Sequence, residues 1–538
     1  MTSPQSLPAI RPASSTGGRS IASVLENRWA RLFVPSLSDL FFLAILGWVF
    51  MSSSAGWQGL LVDGDVGWHI RTGQYILDHH SIPRHDLYSF SKPQAAWYAW
   101  EWLTDVIDGS LERMAGLKGI VLLAGVVIAA FATTLIRRMV WRNTNLFVAM
   151  IVALMAVGSA SIHFLARPHI FTLLLLSISV WMVEADRRSA GPRIWLLVPI
   201  TIVWTNLHGG FLSLIALLGL TAAGIAIEVF IARGDCSAWV GLRAAIAGGS
   251  RYALLTAACA AASLVNPYGW QLHVHVGEYL RSDWIRNVIQ EFQSPSFRNE
   301  NMLQFEALMF AGLIVAGLQF RKRRVVEGLW IVFFANMALS SVRHVPVFVA
   351  VAAPVIAAEI GAWWVAWTAG ARKGSLTAIV NSMAADSLAA FRRTSAWPAI
   401  AVLALIVIGR PIPWPKDFPS DIFPSAIVHA HASEILNSRL MTTDQWADYL
   451  IYVNPSQKVF VDGRSDFYGP EVGNQYIHMM NGQWDWREIM TKYQFNAALL
   501  PIDSSLSQLL KLSPDWRVVE DDGKRIFFVR GGENRAIQ

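Results

Sequence analysis

Charge and cysteine are both scarce in this chain. Only 15% of its 538 residues are Asp, Glu, Lys or Arg, while 54% are hydrophobic and the mean hydropathy is +0.39. Soluble domains carry about 25% charged residues, so an ordinary globular enzyme is excluded. A multi-span membrane protein with one sizeable polar portion is expected instead. The two cysteines, Cys236 and Cys259, fall in a basic link and in an apolar stretch. That excludes a disulfide framework and a cysteine-based metal site. Repetition at a fixed period is also missing, which argues against a solenoid. The net charge of +6 and pI near 9.3 do not point to nucleic acid. The basic residues cluster in short links between apolar stretches, which is a signal of membrane orientation.

A helix crosses the hydrocarbon with about 20 apolar residues, and about eleven stretches approach that length. They are roughly 39–61, 117–136, 145–165, 169–185, 194–210, 211–231, 252–266, 303–320, 325–341, 345–367 and 396–409. With the N-terminus inside, the inner links carry Arg137-Arg138 and Arg142, Arg187-Arg188 and Arg193, then Arg233, Arg243 and Arg251. Further along come Arg321-Lys322-Arg323-Arg324, Arg372-Lys373 and Arg392-Arg393. This parity makes every inner link basic. Residues 1–35, rich in Ser and Pro and carrying Arg11, Arg19, Arg28 and Arg31, read as a disordered cytoplasmic tail. Residues 36–409 read as the transmembrane domain. An odd number of spans then puts 410–538 outside.

The long first outer loop, 63–116, holds two amphipathic helix candidates, His69–Leu77 and Glu101–Met114, separated by a break at Ile82-Pro83-Arg84-His85-Asp86. A later outer loop, about 267–302, carries Trp270, His273, His275, Trp284, Glu291 and Phe292. Beyond a linker with Pro411, Pro413, Pro415, Pro419 and Pro424, short apolar runs alternate with helical patterns. Lys458–Asp462, Phe495–Leu500, Trp516–Glu520 and Ile526–Arg530 read as strands. Asp444–Tyr452, Glu471–Asn481 and Ser504–Leu512 read as helices, together a small α/β domain.

Polar residues at membrane depth are costly and mark cavities. Here they gather at the outer ends of the spans: Asp63-Gly64-Asp65, Arg167-Pro168-His169, Asn206-Leu207-His208-Gly209-Gly210, Asn266-Pro267-Tyr268-Gly269 and Arg343-His344. Asp63 and Asp65 can turn toward one point, to hold a divalent metal such as Mg²⁺ or Mn²⁺ or to act as general base. The alternative is that they cap the helix beginning near Val66. Arg167, His169, His208, Arg343 and His344 would present a positive face to a phosphate. Arg167 would otherwise anchor at the interface. Asn206 and the glycines beside it read equally well as a helix terminus, and Asn266 to Gly269 as a turn. His69, Arg71 and Glu101 on the first outer loop join the candidate substrate-binding set. His69, His79, His80 and His85 read as metal ligands, with His79-His80 on an exposed turn alternatively read as solvated side chains. Asp462-Gly463-Arg464 and Asp466 follow an expected strand, for acceptor contact or as an internal pair fixing the loop.

The acidic motif after the first span, the long first outer loop with surface helices, and about eleven spans ending in an outer domain resemble the GT-C superfamily. These are integral-membrane glycosyltransferases that use lipid-phosphate-linked sugars, among them protein O-mannosyltransferases and lipid A aminoarabinose transferases. The run from Asp63 to Gly73 also looks like one branch of bacterial membrane proteins of this type. So do Ser81 to Asp86, Trp204 to Gly209, Asn266 to Gly269 and Val461-Asp462-Gly463-Arg464. The resemblance implies sugar transfer from a polyprenyl-phosphate donor to a glycan, lipid or protein acceptor at the periplasmic face of a bacterial inner membrane. It also implies that an acid of the first outer loop, Asp63 or Asp65, deprotonates the acceptor. Several GT-C families carry another acid in a later outer loop, and the loop around Arg167-Pro168-His169 has none. Two rival readings are a transporter or flippase for a lipid-linked or anionic solute, and a non-catalytic scaffold subunit.

Overall fold

The computed structural model describes residues 32–51, 56–233, 237–298, 300–407 and 413–531. The expected tail through Arg31, together with Cys236 and Pro411, lies outside these residues.

Apolar helices follow one another as far as residue 407. After α1 (Leu37–Met51), two amphipathic helices, α2 (Val66–His79) and α3 (Trp102–Ala115), precede α4 (Leu117–Trp141) and α5 (Leu146–Ala160). Next come α6 (His169–Arg188), α7 (Leu197–Leu207), α8 (Leu212–Ala232) and α9 (Ala238–Ala262). The short helices α10 (Trp270–Arg281) and α11 (Asp283–Val288) lead to α12 (Glu300–Arg321), α13 (Val325–Ser340), α14 (Val345–Thr368), α15 (Leu376–Arg392) and α16 (Trp397–Val407).

Among the described residues six helices are long and apolar enough to cross a membrane, or seven if α15 and α16, bent by 63°, form one span. A helix covers each expected stretch, yet the count of about eleven spans is not reached. The reason is length: α1, α7 and α13 have 15, 11 and 16 residues. At 1.5 Å per residue they reach about 16–24 Å, short of the roughly 30 Å hydrocarbon. Helix α9 also begins earlier than expected and takes in Arg243 and Arg251. Arg251 pairs with Asp186 at 2.8 Å.

The last portion folds as β1 (Leu440–Thr442), α17 (Asp444–Val453), α18 (Ser465–Met480), α19 (Trp486–Lys492), β2 (Ala497–Pro501), α20 (Ser505–Leu512), β3 (Trp516–Asp521) and β4 (Arg525–Arg530). The sheet order is β1-β2-β4-β3, with β1 and β2 parallel and the other pairs antiparallel. The expected strand Lys458–Asp462 is not part of it. Val459 instead bridges Ser89, giving its N–H to Tyr88 O and accepting from Phe90 N, both at 2.9 Å. Its apolar alternation found a partner in the 63–116 segment. Helix α18 starts six residues before the expected Glu471, and Gly469, at φ 63°, kinks it just ahead of Pro470. β1 has three residues, too few for any period to register.

Two contacts position the 63–116 segment. Arg464, 1% exposed, donates to Asp462 at 2.6 Å and to Asp86 at 2.8 Å, tying the last portion to that segment through a buried ion triad. Helices α2 and α3 cross backbone to backbone at Gly73 and Gly109. A Cβ on Gly73 would sit 1.7 Å from Asp105 O. Gly73→Ala therefore forces the helices apart. It is expected to cost about 1–3 kcal/mol, the usual range for overpacking, read as a lowered melting temperature of the detergent-solubilised protein. A substitution of an exposed residue away from this crossing, such as Glu471→Ala on α18, should leave that temperature in place.

Candidate functional site

A cavity of about 310 Å³ lies where α2, α6, α13, α14 and the 97–101, 208–213, 276–291 and 463–466 segments meet. Asp65, Glu101, Arg167, His169, His208, Arg343, His344 and Arg464 all line it, drawn together from widely separated parts of the sequence.

Arg167, just ahead of α6, is the hub. Its Nη1 donates to Asp63 Oδ2 at 2.7 Å and to Glu291 Oε1 at 3.1 Å, and its Nη2 contacts Asp65 Oδ2 at 2.5 Å. Asp65 occupies the N-cap of α2 but makes no side-chain cap bond, because its carboxyl is turned to the arginine. Asp63 Oδ1 accepts from Asp65 N at 3.0 Å, so it shapes the turn while Oδ2 serves Arg167. Capping alone does not account for this pair.

Burial raises the Asp65 carboxyl to about 7, against the pull of Arg167. Part of that burial comes from α17. The Asp65 and Asp448 carboxyls both lie against Gly463, and burial followed by repulsion from Asp65 pushes Asp448 well above the ordinary carboxyl range. Gly64, Gly67 and Gly463 make this approach possible. A Cβ on Gly67 would stand 2.3 Å from Asp448 O, and one on Gly463 1.8 Å from Asp65 Oδ1. Burial works to raise Glu291 as well, yet Arg167 and Arg343 hold it down at about 2.

Glu101 faces the same cavity. Burial lifts it to about 8, only partly opposed by Arg167 and Arg343. His69 Nε2 lies 3.8 Å from its carboxyl and His208 Nε2 lies 3.6 Å away. His69 Nδ1 bonds Asp105 at 2.6 Å. His208 Nδ1 accepts the Gly210 N–H at 3.0 Å, so a neutral His208 carries its proton on Nε2 and aims it at Glu101. His169 Nε2 bonds the His163 carbonyl at 2.6 Å. Arg343 meets only Tyr279 Oη at 3.5 Å and the Phe292 ring at 4.5 Å. Among the described residues it has no carboxylate within 4.0 Å, and it is the cavity's uncompensated cation. Trp68, Trp97, Tyr98 and Trp100 form an aromatic wall, with His275 stacked on Tyr98 and bonded to Asp466 at 2.9 Å.

The remaining residues expected to form a site go elsewhere in the fold. Arg71 donates its Nε to Tyr452 O at 2.8 Å, at the contact with α17, and does not line the cavity. Asn206 accepts from Trp102 Nε1 at 2.7 Å and donates to Ile202 O and Val265 O, the ties of a helix terminus. Asp462 is consumed by Arg464 and Tyr468. His69 stands behind Glu101 rather than on the wall. Asn266 closes the turn through Gly269, accepting from Tyr268 N at 2.8 Å. His79, His80 and His85 are exposed. Among the described residues no group of three or more His, Cys, Asp or Glu side chains is arranged for a metal ion. Glu291 and Asp448 were not marked as site residues from sequence. Glu291 stands in a loop with five other polar or aromatic candidates, and Asp448 lies inside a helix whose role depends on docking.

No protein-family model matches the chain, and no curated protein does. Solved structures do. The archaeal oligosaccharyltransferase AglB of Archaeoglobus fulgidus, in complex with an inhibitory peptide and a dolichol-phosphate, superposes with a TM-score of 0.53 at 10% identity, covering 93% of this chain and 74% of that one. The apo form of the Archaeoglobus fulgidus oligosaccharyltransferase gives 0.51 at 10% identity, covering 87% and 69%. Its complex with Zn and sulfate gives 0.50 at 10% identity, covering 87% and 68%. The chain thus shares the fold of these oligosaccharyltransferase structures.

Carboxyls that are raised in the fold bind protons that the unfolded chain releases, so they lower stability as pH rises. Asp65 and Glu101 therefore predict a melting temperature that falls between about pH 4, where both states are protonated, and the folded values near 7 and 8. Glu101→Gln should flatten the upper part of that fall, measured by unfolding scans from pH 5 to 8.5.

Proposed function

We propose that this protein is a GT-C-type glycosyltransferase that moves a sugar from a polyprenyl-phosphate donor to an acceptor hydroxyl or amide. The observation that carries the reading is Asp65. It is a buried carboxyl raised to about 7, facing a cavity that also holds Arg343, a cation without a carboxylate partner among the described residues. A general base works best with a pKa near the working pH. An uncompensated arginine fork suits a phosphate.

In this mechanism ionised Asp65 takes the acceptor proton as the acceptor attacks the anomeric carbon. The bond from that carbon to the lipid phosphate breaks with inversion. Arg343, with His344 beside it on the wall, meets the negative charge growing on the departing phosphate. Glu101, protonated near neutrality, offers a hydrogen-bond donor to the sugar, and the wall of Trp97, Tyr98 and Trp100 covers its apolar face. Arg464, fixed by Asp86 and Asp462, supports that wall from behind, 4.5 Å from the centre of the Trp97 ring. The basic links support a reading in which this cavity opens on the periplasmic side of a bacterial inner membrane, with residues 410–538 on the same side and the N-terminus in the cytoplasm. A dolichol-phosphate complex of a protein with this fold is compatible with a lipid-phosphate donor. Asp63 and Asp65 do not fit the expected divalent metal, since both carboxylates are engaged by Arg167.

The test is a transfer assay on the protein in nanodiscs with a panel of polyprenyl-phosphate sugars. Asp65→Asn is expected to lower kcat by about 10²–10⁴, the usual worth of a general base. Arg343→Ala should raise KM for the donor by about tenfold or more, the loss of one charge-assisted bond. Equal turnover by wild type and Asp65→Asn removes Asp65 from the mechanism.

A further inference from the structure

Three carboxylates from two distant parts of the chain converge on one guanidinium. Asp63 and Asp65 come from the turn before α2, and Glu291 from the turn after α11. Hard divalent cations also gather acidic oxygens about one point, but these three carboxylates are spaced around a guanidinium and are not arranged for a metal ion. Here the point is filled. Nη1 of Arg167 serves Asp63 and Glu291, and Nη2 serves Asp65, at 2.5–3.1 Å.

A divalent cation would have to displace a side chain that is itself held in place. The Arg167 side chain is only 20% exposed, and its Nε is buried. The Glu101 carboxyl also acts on Arg167, but burial raises it to about 8, so it is protonated near neutrality. His163, His169 and Arg343 line the same cavity. A cation added alongside Arg167 would meet repulsion from both guanidinium groups. It would also need octahedral oxygens at about 2.0–2.1 Å if it were Mg²⁺, whereas these oxygens are spread over a planar fork.

We propose that Arg167 is a resident cation standing in for a divalent metal. It gathers Asp63, Asp65 and Glu291, sets the charge around the base, and leaves the wild-type chain without a metal site there. The same three carboxylates become a metal site only when the guanidinium is taken away. The catalytic consequence, transfer that persists in chelator, rests on the proposed glycosyl transfer. The binding consequence does not.

The experiment therefore reads binding without substrate. Full-length protein, purified in detergent and stripped with EDTA, is titrated with Mn²⁺ while the electron paramagnetic resonance signal of the free ion is followed. Wild type is expected to bind Mn²⁺ no better than Asp65→Asn does, and its melting temperature is expected not to move with EDTA or Mn²⁺. Arg167→Ala is expected to bind one Mn²⁺ at least roughly tenfold more tightly than wild type, and adding Glu291→Gln to that variant should abolish the gain. A wild-type Mn²⁺ site that disappears in Asp65→Asn overturns the proposal. So does a monodisperse, cooperatively melting Arg167→Ala that gains no Mn²⁺. Should Arg167→Ala not fold, the comparison of wild type with Asp65→Asn decides alone. A failed transfer assay with these binding results intact would count against the glycosyl transfer reading and leave the resident cation standing.

Discussion

The grip of Arg167 on Asp63, Asp65 and Glu291 is the interaction on which the cavity depends. Taking charges out of water costs several kcal/mol per ion unless partners and hydrogen bonds replace the solvent. One arginine does this for three acids at once, because its planar fork presents several donors in fixed directions. Without it, the turn before α2 and the turn after α11 would repel each other across the cavity. With it, Glu291 stays ionised down to about 2 while Asp65 is left near 7. Arg167 pulls both acids down; burial outweighs it at Asp65, while Arg343 adds to it at Glu291.

The last portion of the chain acts on the same point from the other side. Asp448 on α17 is brought against Asp65 because Gly64, Gly67 and Gly463 carry no side chains to hold the backbones apart. The Arg464 triad with Asp86 and Asp462 fixes the neighbouring loop in a dry environment. Removing one partner from such a buried set costs about 3–5 kcal/mol, so the docking is well defined. Residues 440–530 are therefore more than an appended module: they supply part of the burial that raises the Asp65 carboxyl.

Much of this was legible in the sequence, and the limits have physical causes. Apolar stretch lengths and basic links marked where helices lie, and clustered polar residues at helix ends marked Asp65, Arg167, His208 and Arg343 as neighbours. Periodicity also found α2, α3, α17 and α20. The count of about eleven spans is not confirmed, because hydropathy does not register where a helix stops, as α7 does after 11 residues. The strand at 458–462 was misread because alternation reports a half-buried extended run without naming its partner, which was Ser89 and not the sheet. Arg71, Asn206 and Asp462 carried the right chemistry for a site but spend it on backbone carbonyls or on a buried arginine. Glu291 and Asp448 went unmarked because their importance arises from convergence in space, which one sequence does not encode locally.

The most direct test is an experimental structure of the full-length protein with polyprenyl phosphate bound. The phosphate is expected beside Arg343, with Arg167 still held by Asp63, Asp65 and Glu291 and the Asp65 carboxyl open to the cavity. A phosphate seated on Arg167, with the three carboxylates released or gathered around a metal ion, would overturn both the proposed mechanism and the role given to Arg167.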